Sequence, residues 1–190
     1  AFLKVAMVKW KTSLGNVMIG MQGMNMFKTM ENTWGHRFIA KMPMDTYKYS
    51  ASADLGIGLS RSFGPISTSA LITNGSGYKK AESDNHKKLS IHAVYGESKL
   101  NKKDGFNGGL SVSTEPYDKD SLNIENTSVM GIFAGYAGND FRGGFEFDTK
   151  TQDDVSGQIF CIYSTYKIND KLSILARLDQ AGDNISEDSD

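Results

Sequence analysis

The stretch DFRGGFEFDTK, Asp140 to Lys150, alternates between apolar and polar positions. Its phenylalanines fall on one side of an extended chain, and its arginine and acidic residues fall on the other. In a water-soluble sheet the phenylalanines would face a core. In a membrane barrel they would face lipid, and the charges would line a water-filled interior. The alternation fits both arrangements, so the choice between a soluble sheet and a membrane barrel depends on the rest of the chain.

Composition excludes several classes of protein. The chain has 190 residues, which is enough for one domain with a sizeable core. Its net charge is −1 and its lysines and arginines are scattered, which argues against a nucleic-acid partner. The mean hydropathy is −0.38, and no apolar run approaches the roughly 20 residues of a membrane helix. This excludes a helical membrane protein but not a barrel, whose strands alternate.

Period-two segments dominate the chain and predict about ten strands. We find no sustained helix, no internal repeat and no linker, so residues 1–190 are expected to form a single domain. The alternating residues that mark the predicted strands lie within 3–8, 17–22, 53–60, 66–73, 89–96, 107–113, 130–136, 140–150, 158–168 and 172–178, and the strands extend a few residues beyond most of these spans.

The connections between these segments mostly alternate between short and long. In an antiparallel meander, alternate connections lie at the same end of the sheet, so one end has tight turns and the other has long polar loops. We predict long loops for PYDKDSLNIEN and a connection of intermediate length for TKTQDDVSG. The asymmetry, with strands of about 9 to 11 residues, is typical of outer-membrane barrels.

Three stretches, WGHRFIAK, SADLGIGLSRSFGPISTSALITNGSGY and KLSIHAVYGE, resemble the substrate-selective outer-membrane porins of Gram-negative bacteria. In those proteins a D-x-G-x-x-L strand and a tight turn precede a strand that runs into an N-G-x-G-Y loop. INDKLSILARLD resembles a later hairpin of such barrels. The resemblance covers most of the chain from about Trp34 onward. The residues that match the two patterns are Asp54, Gly56 and Leu59, then Asn74, Gly75, Gly77 and Tyr78.

The resemblance implies an all-β fold, an antiparallel up-and-down transmembrane β-barrel in the bacterial outer membrane. Such porins have about 16 or 18 strands, so the 190 residues are expected to be part of a larger barrel. The implied function is passive diffusion of small hydrophilic solutes or ions through a water-filled channel, without catalysis or a cofactor. The implied partners are membrane lipid, lipopolysaccharide and two further copies in a homotrimer.

The alternation divides the candidate site residues into two sets. Because the pore-lining set carries both signs of charge, it would create a transverse field across the lumen, which orients dipolar solutes. The predicted pore-lining residues are Lys4, Arg37, Lys41, Asp54, Arg142, Glu146, Arg177 and Asp179. The predicted lipid-facing residues are Leu55, Ile57, Leu89, Ile91, Phe145 and Ile174.

Metal and catalytic motifs are weak in this chain. The three histidines have no partner at metal-ligand spacing, and the acidic stretches lack the spacing of a calcium loop. We therefore expect no metal site. Cys161 has no motif around it and is expected to be a packed strand residue. A catalytic triad is spatial and cannot be read from the order of residues alone.

Two questions stay open at the level of sequence. The Met-rich stretch within residues 23–50 is either flexible apolar filler or a long loop that folds into the lumen and narrows it. The alternative fold is a soluble β-sandwich that binds carbohydrate or acts as an adhesin, with Trp34, Tyr78 and Tyr117 exposed on its loops. A small outer-membrane enzyme barrel with carboxylates at its rim is a third possibility.

Overall fold

A computed structural model describes residues 3–81, 84–120 and 123–182, and these form one antiparallel sheet. Ten strands follow each other in chain order, each paired with its neighbours in sequence, which confirms the predicted all-β, up-and-down arrangement. The strands are β1 (Ala6–Thr12), β2 (Gly15–Gly23), β3 (Ala53–Phe63), β4 (Ile66–Thr73), β5 (Lys88–Gly96), β6 (Gly105–Asp118), β7 (Ile124–Gly138), β8 (Phe141–Gln152), β9 (Val155–Asn169) and β10 (Leu172–Gly182).

The register of the strands gives the sheet two different faces. Ile57 lies opposite Ile72, which lies opposite Leu89, so that apolar side chains continue from strand to strand. We call this side the apolar face and the opposite side the polar face. The polar face carries mainly glycine, hydroxyl and charged residues, with a few apolar ones such as Leu71 and Phe133. Because side chains alternate along a strand, in-register pairing preserves the separation across all ten strands.

Residues 24–52 connect β2 to β3 and contain two helices, α1 (Asn25–Trp34) and α2 (Pro43–Thr46). The expectation of no sustained helix is therefore wrong. Met26, Met30 and Trp34 recur every four residues and are buried along one side of α1, which is the helical period rather than the period of a strand. Gly35 ends the helix in the left-handed conformation with φ of 74°, and its N–H donates to the Glu31 carbonyl.

Two predicted loops are shorter in the structure than in the sequence analysis. Most of PYDKDSLNIEN belongs to strands, because β6 continues to Asp118 and β7 begins at Ile124. The predicted intermediate connection in TKTQDDVSG is a tight turn, since β8 ends at Gln152 and β9 begins at Val155. Both errors arise from polar residues that lie within paired strands, where cross-strand hydrogen bonds outweigh low strand propensity.

The main cluster of buried side chains lies between residues 24–52 and the polar face, not on the apolar face. We call residues 24–52 the covering segment. It buries its methionines and aromatic residues against apolar side chains that project from the polar face, such as Leu71, Val129, Phe133 and Ile159. Within the described ranges, no helix is both long and apolar enough to cross a membrane.

Candidate functional site on the polar face

Glycines on β7 allow the covering segment to approach the polar face closely. A side chain at Gly135 would collide with the methyl group of Thr33 on α1. A side chain at Gly131 would lie 3.1 Å from the Met44 methyl group and would also collide with the Asp148 carboxylate. These positions have no Cβ, so α1 and α2 pack directly on the strand.

The first half of the covering segment is attached to the sheet by amide side chains. The Asn25 amide donates to the carbonyls of Ser69, at 3.2 Å, and Ser90, at 3.3 Å. The Ser90 hydroxyl donates back to the Asn25 amide oxygen at 2.9 Å. On the other side of α1, the Asn107 amide donates to the Thr33 hydroxyl at 2.8 Å. The helix is thereby fixed across β4, β5 and β6.

The second half of the covering segment is attached by charged residues of β8 and β10. The Glu146 carboxylate accepts a hydrogen bond from the Met44 backbone N–H at 3.2 Å. Arg177 donates to the Lys41 carbonyl at 2.7 Å and makes two further bonds, of 2.7 and 2.5 Å, to Asp179. Its guanidinium also lies 4.5 Å from the ring centroid of Trp34. One arginine, itself held by Asp179 of the same strand, therefore attaches the covering segment to β10.

His36 lies where the covering segment meets β9. Its Nε2 is 2.7 Å from the Thr165 hydroxyl, and its ring packs edge-on against Trp34. Burial lowers the pKa of His36 below its ordinary value, and the nearby positive charge of Arg142 lowers it further. Arg142 itself donates to the Leu100 carbonyl at 2.5 Å, so its charge is held close to the imidazole. The neutral form of His36 is the one that fits this position.

The structure brings five of the eight predicted pore-lining residues together. Arg142, Glu146, Arg177 and Asp179 lie on the polar face of β8 and β10, and Lys41 approaches them from the covering segment. The charges of the four strand residues are engaged with one another or with backbone groups. Lys41 contributes its carbonyl to Arg177, and its ammonium pairs with Asp45 at 3.5 Å. The first physical effect of this cluster is to fix the covering segment.

The other three predicted pore-lining residues have different surroundings. Arg37 lies on the covering segment and forms ion pairs with Glu31, at 3.2 Å, and Asp45, at 3.4 Å. Two residues contact the link between β4 and β5 instead of this cluster. The Lys4 ammonium lies 5.3 Å from the Tyr78 ring, and the buried Asp54 carboxylate accepts the Gly75 backbone N–H at 2.5 Å.

The six predicted lipid-facing residues all lie on the apolar face, away from the covering segment, with 38% to 60% of their surface exposed. Neighbouring positions on the same face are exposed as well, so the apolar surface is continuous across the sheet. Those six residues are Leu55, Ile57, Leu89, Ile91, Phe145 and Ile174.

Sequence reasoning missed several residues of the polar face. The exposed position that the sandwich alternative predicts for Trp34 is wrong, because Trp34 is 2% exposed and lies under Arg177. Asn25, Asn107 and Asp148 were not singled out. Asn25 follows the last β2 residues closely and precedes a helical apolar period, which is the signal that could have indicated a helix anchored at its start.

Cavities open on the polar face, and two of them lie on either side of the covering segment. The larger, of about 370 Å³, lies between α1 and the polar face of β1 to β5. The smaller, of about 230 Å³, lies between residues 48–51 and the far ends of β5 to β8, and includes the Lys88–Glu115 ion pair. Across the described ranges, no group of three His, Cys, Asp or Glu side chains is placed to hold a metal ion.

Comparison with known proteins yields no relative, because no family model, curated protein or solved structure matches the chain. The resemblance to substrate-selective porins therefore remains a prediction.

Proposed function

We propose that this chain forms the wall of an outer-membrane porin, a water-filled channel for passive diffusion of small hydrophilic solutes or ions. One observation carries the proposal: the chain covers the polar face of its sheet with its own residues 24–52 and leaves the apolar face exposed. A water-soluble sheet does the reverse, because burial of apolar side chains is the main favourable contribution to folding.

The extent of the apolar face supports contact with lipid. Monomeric soluble proteins rarely expose continuous apolar patches above a few hundred Å². Here the exposed residues of the apolar face occur on every strand from β1 to β10. Full burial of a large apolar side chain contributes about 1.5 to 3 kcal/mol, and in water each of these half-exposed side chains would lose part of that free energy. Hydrocarbon supplies an apolar environment for all of them.

The hydrogen-bonding pattern of the sheet is compatible with a bilayer. Each inner strand is paired on both sides along most of its length, so its backbone groups need no water. Among the described strands, β1 and β10 each have a partner on one side only. In the proposed porin these two edges pair with further strands of a closed barrel.

In this arrangement the polar face lines the water-filled interior, and the covering segment narrows it. Both halves of the segment are hydrogen-bonded to the sheet, which favours a fixed constriction of the interior over a flexible loop. Arg142, Glu146, Arg177 and Asp179 then contribute charges of both signs next to the narrowed passage. Such neighbouring charges orient dipolar solutes as they pass.

The soluble sandwich finds less support. Its core would require two stacked sheets with Phe145 and Ile174 between them, whereas the described strands form one sheet on which both residues are exposed. The packed core of this chain is on the opposite side of that sheet.

The test is to isolate the protein from membranes in detergent and record its conductance in planar lipid bilayers. We expect discrete conductance steps, together with a change of gel mobility on boiling. Replacing Arg142 and Arg177 with alanine should shift the reversal potential toward cation selectivity, because two positive charges leave the passage. A protein that purifies without detergent as a monomer, and that gives no conductance, would exclude the porin and favour a soluble module.

A further inference from the structure

The buried apolar side chains of the covering segment are mostly methionines. Five of the nine methionines of the chain lie in this segment, and each of the five is at most 1% exposed. They pack in one cluster with apolar side chains that project from the polar face of the sheet. Thioethers therefore provide much of the apolar contact that holds the segment in place. The five residues are Met24, Met26, Met30, Met42 and Met44.

Two of these five sulfur atoms face hydroxyl groups. The Thr73 hydroxyl donates to the Met24 sulfur, and the Ser111 hydroxyl donates to the Met30 sulfur, each at 4.0 Å. A thioether is a weak acceptor, so these contacts contribute little to the docking of the segment. The same hydroxyls are nevertheless placed to donate to a stronger acceptor on either sulfur.

The other three sulfur atoms lack such a donor. Within the described ranges, no hydrogen bond reaches the sulfur of Met26, Met42 or Met44, and we call these three the donor-free methionines. Met44 is also tightly packed, because its methyl group lies 3.1 Å from the point where a side chain at Gly131 would begin. An oxygen atom added to any of these three sulfurs would find neither spare space nor a donor already in place.

Oxidation adds an oxygen atom of this kind. Hypochlorous acid converts a thioether to a sulfoxide: the sulfur loses two electrons and gains the oxygen, the chlorine is reduced to chloride, and one proton is released. The sulfoxide is polar and is reduced back to the thioether by methionine sulfoxide reductases. Its oxygen is costly to bury without a donor, so oxidation at the donor-free methionines opposes docking of the covering segment.

The oxidant reaches these sulfurs when the segment is released. The docked segment shields them, but it is attached by hydrogen bonds and packing alone, and local release exposes the whole cluster. Hypochlorous acid is itself a small hydrophilic molecule. In the proposed porin it would pass through the interior next to the segment.

We propose that the covering segment is an oxidation-sensitive switch, in which sulfoxides at Met26, Met42 and Met44 hold the segment off the polar face and widen the interior of the sheet. The widening rests on the proposed porin function. The release of the segment does not, because it follows from the contacts between residues 24–52 and the polar face.

The experiment measures amide hydrogen exchange by mass spectrometry on the whole protein in detergent micelles, before and after hypochlorous acid, with the sulfoxides located by peptide mapping. We expect exchange in residues 24–52 to become at least about tenfold faster after oxidation and to recover after methionine sulfoxide reductases are added. Unchanged exchange in protein oxidised at the donor-free methionines would overturn the proposal. Sulfoxides confined to the exposed Met7 and Met130 would overturn it as well.

Methionine-to-leucine variants identify the residues that respond, because this exchange nearly conserves volume and leaves no thioether. The triple variant Met26→Leu with Met42→Leu and Met44→Leu should show equal exchange before and after oxidation. A triple variant that responds like the unaltered protein would overturn the proposal. Recovery with the reductases needs no substitution, so it decides the proposal even where the triple variant docks poorly.

Two control variants keep the donor-free methionines. Met24→Leu with Met30→Leu should leave the response intact, because sulfoxides at these two positions can accept from Thr73 and Ser111. Met130→Leu, on the apolar face, should also leave it intact. Loss of the response in either control would contradict the assignment to the donor-free methionines.

Conductance in planar bilayers is measured separately, and we expect a larger conductance step after oxidation. If oxidation releases the segment in micelles but the protein forms no conducting pore, the porin proposal fails and the switch stands. If the pore conducts but oxidation leaves exchange in residues 24–52 unchanged, the switch fails and the porin stands.

Discussion

At the scale of single residues, Arg177 shows how a charged side chain on the polar face can lie beside a buried apolar cluster. A guanidinium has five N–H groups in a plane, and here three of its contacts go to Asp179 and to a backbone carbonyl of the covering segment. Its flat face is free to pack on Trp34. The charge is thus neutralised and satisfied while the aromatic ring is buried beside it.

His36 makes the attachment of the covering segment depend on pH. The pKa of His36 is lowered when the segment is docked, and it returns to its ordinary value near 6.5 when the segment is released. The released state therefore binds more protons, so docking is favoured above about pH 6.5 and is weakened as the pH falls below that value toward the docked pKa. We expect faster amide hydrogen exchange in residues 24–52 at about pH 5 than at about pH 8, after correction for intrinsic rates.

His36→Gln removes the titrating group and should flatten this pH dependence. His86→Gln, at a histidine that pairs with Asp118 on another link, serves as the matched control and should leave the dependence intact. If the His36 variant keeps the full pH response, another group is responsible and the assignment to His36 is wrong.

At the scale of elements, the covering segment and β7 have complementary shapes. Helix α1 has a row of large apolar side chains, and β7 has glycines at the points of closest approach. A helix placed on a strand with side chains at those positions would stand farther away and lose its contacts with the sheet.

Gly135→Val should therefore displace α1 from the sheet. The added side chain meets Thr33, so we expect a loss of about 1 to 3 kcal/mol in the docking of the segment, as for overpacked cores. The measurement is the rate of limited proteolysis within residues 24–52. Ala134→Val, on the same strand but on the apolar face, is the control and should leave that rate unchanged. Equal rates for the two variants would show that the close approach at Gly135 is unimportant.

At the scale of the whole molecule, substitutions on the apolar face distinguish most clearly between a sheet that contacts a bilayer and one that contacts water. Ile91 lies in the middle of β5 on that face, between Ala70 and Val112. An arginine on the lipid face of a barrel at the centre of the bilayer costs about 2 to 4 kcal/mol, falling to about 0 to 1 near the interface. In water the same substitution would be neutral or would improve solubility.

We expect Ile91→Arg to reduce assembly into membranes and to lower the midpoint of unfolding in urea with lipid vesicles. Phe63→Arg is the matched control, because Phe63 is exposed on the same face at the end of β3, next to a tight turn. It should have a much smaller effect. Equal and small effects at both positions would mean that the apolar face is not in contact with hydrocarbon.

The period-two pattern was sufficient to predict ten strands, their order and the side of the sheet on which each predicted lipid-facing residue lies. It failed at α1, where residues of helical period lie within a predicted loop, and at the ends of β6 and β8, where polar residues continue the strands. It also could not show that Arg177 and Glu146 hold the covering segment, because their partners lie more than 100 residues away in sequence.

Alternation along each strand determined by itself that this protein has one apolar and one polar surface, since successive side chains of an extended chain point in opposite directions. Which surface the chain would cover was decided only by tertiary structure. The glycines of β7, the amide of Asn25 and the guanidinium of Arg177 become complementary to residues 24–52 only after the strands are paired. That pairing places the covering segment on the polar face, because close packing and satisfied hydrogen bonds are available on that side.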